Sequence, residues 1–311
     1  MTSERPNGKG YDILAHIVAL AVVMVWGSTF AFTKLLLTNG ISAAQIFALR
    51  FTFAYITLLA YNLYKGHNRW FSFSFKDELK MLVLGISGGS IYFLAENSSM
   101  NYTTATNTSL IVCACPLFTT FIIAWFYKTE HICRRQVFGT LVAIAGMAMV
   151  VMNGQFVLQL SPKGDLLAFG ACMSWVVYSL VMMDVNKRYD IVFITRKVFF
   201  YGTLTIMPYF VIYPEPLPVE VLLRGDIMTN LLFLSVVGST LCFLLWNWSL
   251  MRIGVVVTTN YIYLTPVATI LFAWWLIDEP VTLWLILGTA LLLWGLFLVN
   301  KKGNNEKTIE T

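Results

Sequence analysis

Three ionisable residues lie inside long apolar runs of this 311-residue sequence: Lys34, Arg50 and Glu96. Inserting one such residue into the membrane near the centre of a helix costs about 2.5–3.5 kcal/mol of free energy. Such residues therefore either have a function or neutralise one another. Glu96 is a candidate proton-coupling or cation-binding carboxylate, and the alternative is an ion pair with Arg50 that joins two helices. A rise of about 1.5 Å per residue places all three in the same half of the membrane. Lys34 is therefore near enough to join the pair, or it extends to the interface.

The remaining candidates for a substrate- or proton-binding cavity are aromatic or polar side chains. Tyr92 shares a helix face with Glu96, since four residues separate them. Trp26 and Trp175 lie deep in their runs, so we assign them to a cavity or core rather than to the aromatic belt at the membrane surface. The other candidates are four amides and one phenol, namely Asn97, Asn107, Asn247, Asn260 and Tyr263.

The composition indicates an integral membrane protein. Apolar residues make up 58% and charged residues 12% of the chain, whereas soluble domains contain about 45–50% and about 25%. This balance excludes a cytosolic enzyme, a nucleic-acid-binding protein and a disordered scaffold. The five cysteines have neither metal-ligand spacing nor a disulfide pattern, so no metal and no cofactor is expected.

Ten apolar runs are each long enough to form a membrane helix. They cover residues 13–37, 42–64, 80–102, 105–127, 136–152, 163–185, 192–213, 229–251, 255–277 and 281–299. With the N-terminus inside, 17 of the 21 basic residues fall on the cytoplasmic side and two on the outer side, which is a strong positive-inside pattern. We therefore predict an all-α, multi-pass protein of the plasma (inner) membrane, with cytoplasmic tails at residues 1–12 and 300–311.

An internal repeat relates residues 13–152 to residues 163–299 at an offset of about 150 positions. The matched pairs include Phe93 with Phe243, Asn97 with Asn247, and Pro116 with Pro266. Five helices in each half give the halves opposite orientations, and such inverted repeats are typical of secondary transporters. The two matched prolines lie about halfway along their runs. They predict broken helices at a central cavity, and two simple packing kinks are the alternative.

The first half contains an ordered series of short motifs, and the second half repeats the later set. They are Trp26-Gly27-Ser28-Thr29-Phe30, Leu49-Arg50-Phe51, Tyr102-Thr103, Pro116-Leu117-Phe118 and Gly139-Thr140, then Ser249-Leu250, Thr265-Pro266-Val267 and Asp278-Glu279-Pro280. In their order and spacing, over nearly the whole chain, these motifs resemble the EamA family of the drug/metabolite transporter superfamily. The resemblance implies a ten-helix transporter with a central cavity, usually an exporter of small metabolites such as amino acids or related compounds. Family members usually carry an uncharged residue at the position of Glu96.

These features favour a secondary transporter. We expect the two five-helix halves to rock around the cavity, with Glu96 coupling H+ entry to export of a small-molecule substrate. An intramembrane enzyme would need a nucleophile–base pair or a metal site, and neither is evident, so no enzymatic activity is expected. A non-transporting polytopic receptor or sensor is the alternative function.

The other expected partner is the lipid bilayer, no nucleic acid is expected, and the oligomeric state is open between a monomer and a homodimer. Gly139 and Gly146 are seven residues apart, as are Gly288 and Gly295, so each pair lies on one helix face. Small residues let helices approach closely. These faces therefore predict a packing seam, either within the chain or in a homodimer.

Overall fold

Residues 8–66, 70–127, 134–152 and 161–300 are described here, from a computed structural model. This part of the chain contains ten long helical segments, numbered α1 to α10. The first five are Gly8–Thr38 (α1), Ala43–Lys65 (α2), Phe75–Ser99 (α3), residues 105–127 (α4) and Arg134–Met152 (α5). The second five are Pro162–Val185 (α6), Ile191–Ile212 (α7), Gly225–Ile253 (α8), residues 255–277 (α9) and Leu283–Asn300 (α10). Most of both predicted tails lies outside the described residues.

The protein is an all-helical, multi-pass membrane fold over the described residues. Seven helices there are long and apolar enough to cross a membrane, namely α1, α2, α3, α6, α7, α8 and α9. Two shorter apolar helices are Ala105–Thr119 and Leu283–Gly295. Each helical segment overlaps one of the ten predicted runs, and the crossing of the membrane by all ten stays a prediction.

Local sequence signals account for several helix ends. At the start of α2, the backbone N–H of Gln45 donates to Ser42 Oγ at 3.2 Å, and Gln45 Oε1 accepts from the Ser42 N–H at 3.1 Å. This reciprocal pair is a capping box. The same helix ends at Gly66, whose φ of 71° suits a residue without a Cβ. Ser161 and Asp190 cap α6 and α7 through their side-chain oxygens.

One compact unit comprises Met1–Thr119 and Ser161–Glu279. Within it, α1 packs against α8 and α9, and α2 packs against α8; α3 packs against α6 and α7, and α4 packs against α6. We call α1, α2, α8 and α9 the first group and α3, α4, α6 and α7 the second group. Contacts of α2 with α7 and of α4 with α9 join the groups. Each group therefore combines helices from both halves of the sequence.

The other compact unit comprises Thr120–Leu160 and Pro280–Thr311, and in it α5 packs closely against α10. A Cβ on Gly146 would come within 2.7 Å of the Gly288 carbonyl oxygen, and a Cβ on Gly295 within 2.6 Å of the Gly139 carbonyl oxygen. Glycine is required at such contacts because the two backbones nearly touch. The predicted small-residue seam thus lies between two helices of the same chain.

Both α3 and α8 contain a π-helical segment that the sequence did not reveal. These segments are Ile86–Ser90 and Phe233–Leu241, and their matching residues lie about 150 positions apart. A π-helical turn leaves backbone carbonyls available to other donors, and such segments are frequent at functional sites. One carbonyl in each segment accepts a side-chain hydrogen bond from another helix.

Helices α4 and α9 are both interrupted near the middle. In α4, Ala105–Val112 ends and a second helix begins at Cys115. In α9, a 3-10 segment, Asn260–Leu264, separates two α-helical parts. Pro116 and Pro266 each lie in the first turn of the second part, where a missing N–H costs no helical hydrogen bond. The prolines therefore start new helices rather than kink continuous ones.

Candidate substrate cavity

A buried cavity of about 40 Å³ lies in the first compact unit, with room for about three water molecules. Its lining residues are Trp26, Thr29, Phe30, Arg50, Tyr92, Phe93, Glu96, Ser109, Val112, Cys113, Trp175, Phe243, Ile262 and Thr265. Five of the sequence-predicted candidates are on this wall: Trp26, Arg50, Tyr92, Glu96 and Trp175. The cavity thus brings both predicted intramembrane charges of α2 and α3 to one place.

The interrupted parts of α4 and α9 also face this cavity. Val112 and Cys113 come from the break in α4, and Ile262 and Thr265 from the 3-10 segment of α9 and the residue after it. The prolines themselves do not line it. Their effect is indirect, because each begins the helix that follows the break.

Aromatic rings form most of the wall. The Trp26 ring meets the Trp175 ring edge-to-face at a centroid distance of 5.4 Å and the Phe243 ring at 5.8 Å. Tyr92 lies 5.0 Å from the Trp175 ring. The Trp26 indole N–H donates to the Gly238 carbonyl oxygen in the π-helical segment of α8 at 2.9 Å. This bond holds the ring of α1 against α8 and fixes one side of the cavity.

Arg50 is almost completely buried, with 1% of its surface exposed. Its Nε donates to Ser239 Oγ at 2.6 Å, and its guanidinium lies 4.5 Å from the centre of the Phe93 ring. A cation above an aromatic face is stabilised by the ring quadrupole. Of its two terminal nitrogens, Nη1 is buried and has no hydrogen-bond partner among the described residues.

Glu96 is also buried, with 2% of its surface exposed. Tyr92 lies one helical turn before it on α3 and lines the same cavity. The salt bridges of the described residues do not include an Arg50–Glu96 pair. The two charges therefore share a cavity, while Ser239 rather than Glu96 is the direct partner of the guanidinium.

The expectation that Lys34 joins these two residues is wrong. Its ammonium donates to the backbone carbonyl of Met100 and, at 3.2 Å, to that of Thr103. Both carbonyls belong to the connection between α3 and α4, and Lys34 does not line the cavity. The long side chain binds carbonyl oxygens near the end of α3 because they satisfy an ammonium group better than apolar surroundings do.

Three of the predicted amides do not line the cavity, and two of them bind neighbouring helices. Asn97 Nδ2 donates to the Ala43 carbonyl oxygen at the start of α2, at 3.1 Å. Asn247 Nδ2 donates to Thr195 Oγ1 near the start of α7, also at 3.1 Å. Asn107 Nδ2 donates to the Thr103 hydroxyl in the connection before α4, at 3.2 Å. The sequence repeat matched Asn97 with Asn247, and the two amides connect equivalent helix pairs.

The two candidates on α9 lie in the 3-10 segment but not on the cavity wall. Asn260 is half-buried, and its Oδ1 has no partner among the described residues. Tyr263 is buried. Their neighbours Ile262 and Thr265 line the cavity in their place, because the tighter 3-10 turn rotates the face presented to the interior.

Several lining residues were missed as site residues. Thr29, Phe30, Phe93, Ser109, Val112, Cys113, Phe243, Ile262 and Thr265 belong to this set. One signal was present, since Phe93 and Phe243 are matched by the repeat and lie on α3 and α8. The small hydroxyl and apolar residues carry no such signal, because they are common on packed membrane-helix faces.

Outside the cavity, Glu279 connects the two helix groups at the start of α4. Its carboxylate accepts hydrogen bonds from the backbone N–H groups of Ala105, at 2.9 Å, and Thr106, at 3.3 Å. The Thr106 hydroxyl donates to the same carboxylate at 2.6 Å. A carboxylate at a helix N-terminus binds free N–H groups and interacts favourably with the helix dipole.

Six charged side chains form a second polar cluster where α3, α6 and α7 meet, which we call the charged corner. Its members are Asp77, Glu78, Lys80, Asp184, Arg188 and Lys197, joined by ion pairs. Tyr189, in the connection before α7, donates to Asp77 at 2.8 Å. Burial raises the pKa of Tyr189 above its usual range, so the hydroxyl keeps its proton and remains a donor. The three helices of this corner all belong to the second group.

Comparison with known proteins identifies the family. The model of the EamA-like transporter family matches residues 13–152 and again residues 162–301. An uncharacterized transporter of Archaeoglobus fulgidus is 24% identical over 292 residues, which cover 92% of this chain and 97% of the relative. The uncharacterized transporter YcxC of Bacillus subtilis is 23% identical, with 94% of each chain covered.

Two further matches add detail. A probable terminal-alkyne amino-acid exporter of Streptantibioticus cattleyicolor is 25% identical, covering 72% of this chain and 74% of the relative. A solved crystal structure aligns with a TM-score of 0.66 at 18% identity, over 92% of this chain and 96% of the other, which shows a shared fold. These relatives are transporters, which points away from an enzyme. The chain belongs to the EamA-like transporter family.

Proposed function

We propose that this protein exports a small metabolite, such as an amino acid or a related compound, across the plasma membrane by alternating access. The observation that carries the proposal is the buried cavity with a guanidinium, a carboxylate and aromatic walls, lined by residues of two interrupted helices. Interrupted helices around a central polar site are typical of secondary transporters. A relative named as a probable amino-acid exporter supports the substrate class.

The proposed topology is ten membrane crossings in two inverted halves, with both termini in the cytoplasm. The positive-inside pattern of the basic residues supports the orientation. Paired features support the inversion. The π-helical segments of α3 and α8 contain Gly88 and Gly238, which the repeat matches. Asn97 and Asn247 each donate to the beginning of the preceding helix in their own half.

The bodies that move are the two four-helix groups and not the two sequence halves. Helices α1, α8 and α9 pack mainly on each other, as do α3, α6 and α7, whereas α2 and α4 contact both groups. Each group draws members from both halves. Residues of both groups form the cavity wall, including Trp26 of α1 and Trp175 of α6. A cavity of about 40 Å³ is too small for an amino acid, since small-molecule sites usually have volumes of about 300–1,000 Å³. Entry of a substrate therefore requires the groups to separate.

Glu96 is the proposed site of proton coupling. Its carboxylate is buried on the cavity wall, and the salt bridges of the described residues do not include a pair with Arg50. A buried acid without a paired cation is poised to exchange a proton, because its charge is costly when water is absent. Proton binding at Glu96 in one orientation and release in the other would couple inward H+ movement to substrate export.

Efflux from proteoliposomes tests this proposal. Vesicles are loaded with labelled amino acids, nucleosides or organic cations, and efflux is followed with and without an imposed pH gradient. We expect saturable efflux of an amino-acid-like compound that the gradient accelerates. In Glu96→Gln the gradient should have no effect, whereas the exposed Glu220→Gln should behave like the unmodified protein. Gradient-dependent efflux in Glu96→Gln would contradict the role of Glu96, and failure of every compound to move would contradict the transport proposal.

A further inference from the structure

Two hydrogen-bond donors on the cavity wall are buried and unpartnered. They are Nη1 of Arg50 and the indole Nε1 of Trp175, and the hydrogen bonds of the described residues include neither atom. Buried donors without acceptors are uncommon because they lose their hydrogen bonds to water without replacement. Both residues line the same cavity, so an occupant of this cavity would contact the two side chains that carry these donors.

The residue types alone do not explain why these two donors lack acceptors, since other tryptophan and arginine donors on the same wall have them. Trp26, on the same wall, satisfies its own indole N–H with the Gly238 carbonyl oxygen at 2.9 Å. The Arg50 guanidinium satisfies its Nε with Ser239 at 2.6 Å. These two hydrogen bonds join α1 and α2 to α8 on the cavity wall. The Nη1 and the Trp175 N–H are the donors that remain for an occupant.

The charges in the cavity restrict what that occupant is. A guanidinium nitrogen and an indole N–H together suit an oxyanion, and arginine binds carboxylates especially well. Glu96 lies in the same cavity and would repel a second negative charge on the occupant. The aromatic rings of Trp26, Phe243 and their neighbours suit a flat or apolar body.

We infer that Arg50 Nη1 and Trp175 Nε1 form an oxyanion subsite that binds the single carboxylate of the transported compound. This inference rests on the proposed function. It identifies the substrate class as small monocarboxylates with an apolar body. Such a compound would also carry a hydrogen-bond donor, such as an ammonium group, that faces Glu96. Organic cations and nucleosides without a carboxylate are outside this class, because they would leave both donors unpaired.

A matched set of probes tests the inference: phenylalanine, phenylalaninamide, phenethylamine and 3-phenylpropionate. The first and last carry a carboxylate, and the other two keep the ring and the amine without it. Binding to the purified protein in detergent is measured by the shift in its thermal unfolding midpoint, and transport is measured separately in proteoliposomes. We expect a carboxylate compound to bind about 10- to 100-fold more tightly than its counterpart without the carboxylate, as for loss of a charged hydrogen bond.

Variants identify the donors. Arg50→Lys also removes the bond to Ser239, so it changes the packing of α2 as well as the subsite. Trp175→Phe is more specific, since it removes the N–H and keeps an aromatic ring. We expect the ratio of affinities for compounds with and without a carboxylate to fall about tenfold in this variant. Trp246→Phe is the matched control, because its indole N–H is also buried and unpartnered but does not line the cavity.

The outcomes distinguish the subsite from the transport function. Equal binding of phenethylamine and phenylalanine, or no binding of either carboxylate, would overturn the subsite. Loss of carboxylate preference in Trp246→Phe but not in Trp175→Phe would overturn it as well. Transport of a compound without an oxyanion would overturn the subsite and leave the transporter intact. Carboxylate binding without any transport would uphold the subsite and contradict the proposed function.

Discussion

The Glu279 carboxylate and the Thr106 hydroxyl lie 2.6 Å apart, and they join the end of α9 to the start of α4. The first helix belongs to the first group and the second helix to the second group. The same carboxylate accepts the N–H groups of Ala105 and Thr106. This contact therefore holds the two groups together.

Replacing Glu279 with alanine should lower the thermal unfolding midpoint. Three donors lose their acceptor, and a hydrogen bond to a charged group contributes about 1.5–3 kcal/mol. Thr106→Val removes one of the same hydrogen bonds, so the effects of the two substitutions should not add. Additive effects in the double variant would show that the two residues do not interact. Glu220→Ala serves as the control and should leave the midpoint unchanged, because Glu220 is exposed and lies in the short helix Val219–Leu222.

Replacing Lys197 with methionine should destabilise the charged corner. Lys197 pairs with Glu78, and both side chains are largely buried, with 8% and 20% exposed. The substitution leaves a partly buried carboxylate without its cation, at a cost of about 1–3 kcal/mol. The matched control is Arg224→Met, which removes an ion pair whose side chains are 52% and 60% exposed.

Surface ion pairs of the Arg224 type contribute little because water screens them, so the control should not change the midpoint. The measurement is thermal unfolding in detergent at low and high salt. Equal loss of stability in Lys197→Met and Arg224→Met would contradict the assignment of the charged corner as a buried structural cluster.

Replacing Gly146 with leucine should disrupt the packing of α5 on α10. A Cβ at this position would come within 2.7 Å of the Gly288 carbonyl oxygen, so the helices have to move apart and lose contacts along the seam. Gly170→Ala, within α6, is the matched control because no atom lies within 4 Å of its Cβ position. Alanine there should be neutral or slightly stabilising, since it favours helix by about 1 kcal/mol over glycine.

The comparison is made by unfolding midpoint and by the yield of monodisperse protein after solubilisation. A folded, fully stable Gly146→Leu variant would show that the seam tolerates side chains. Loss of yield in both glycine variants would contradict the specific role of the α5–α10 contact.

The family assignment predicted from the motif order is confirmed by the match of the family model to residues 13–152 and 162–301. The positions of the helical segments were also predictable, because long apolar runs form helices in lipid and end where turns and charges occur. The interruptions near Pro116 and Pro266 were predictable because a proline has no backbone N–H to donate within a continuous helix. These properties are local, so they can be read from short stretches of sequence.

The partners of the polar residues were not predictable in the same way. The helical rise set the depth of Lys34, Arg50 and Glu96, but not the direction in which each side chain points. Lys34 binds the carbonyls before α4, and Arg50 binds Ser239 in a π-helical segment that no sequence signal revealed. The repeat paired Asn97 with Asn247 and did not reveal that both bind neighbouring helices.

The sequence by itself determined the class of protein, the extent of its helices and the two places where helices restart. Tertiary structure decided which helices form each group, where the glycine seam lies and which side chains meet in the cavity. The physical reason is that composition and periodicity act within one segment. The rotation of a helix about its axis and the choice of its neighbours depend instead on packing contacts between residues more than 100 positions apart, such as Trp26 with Gly238.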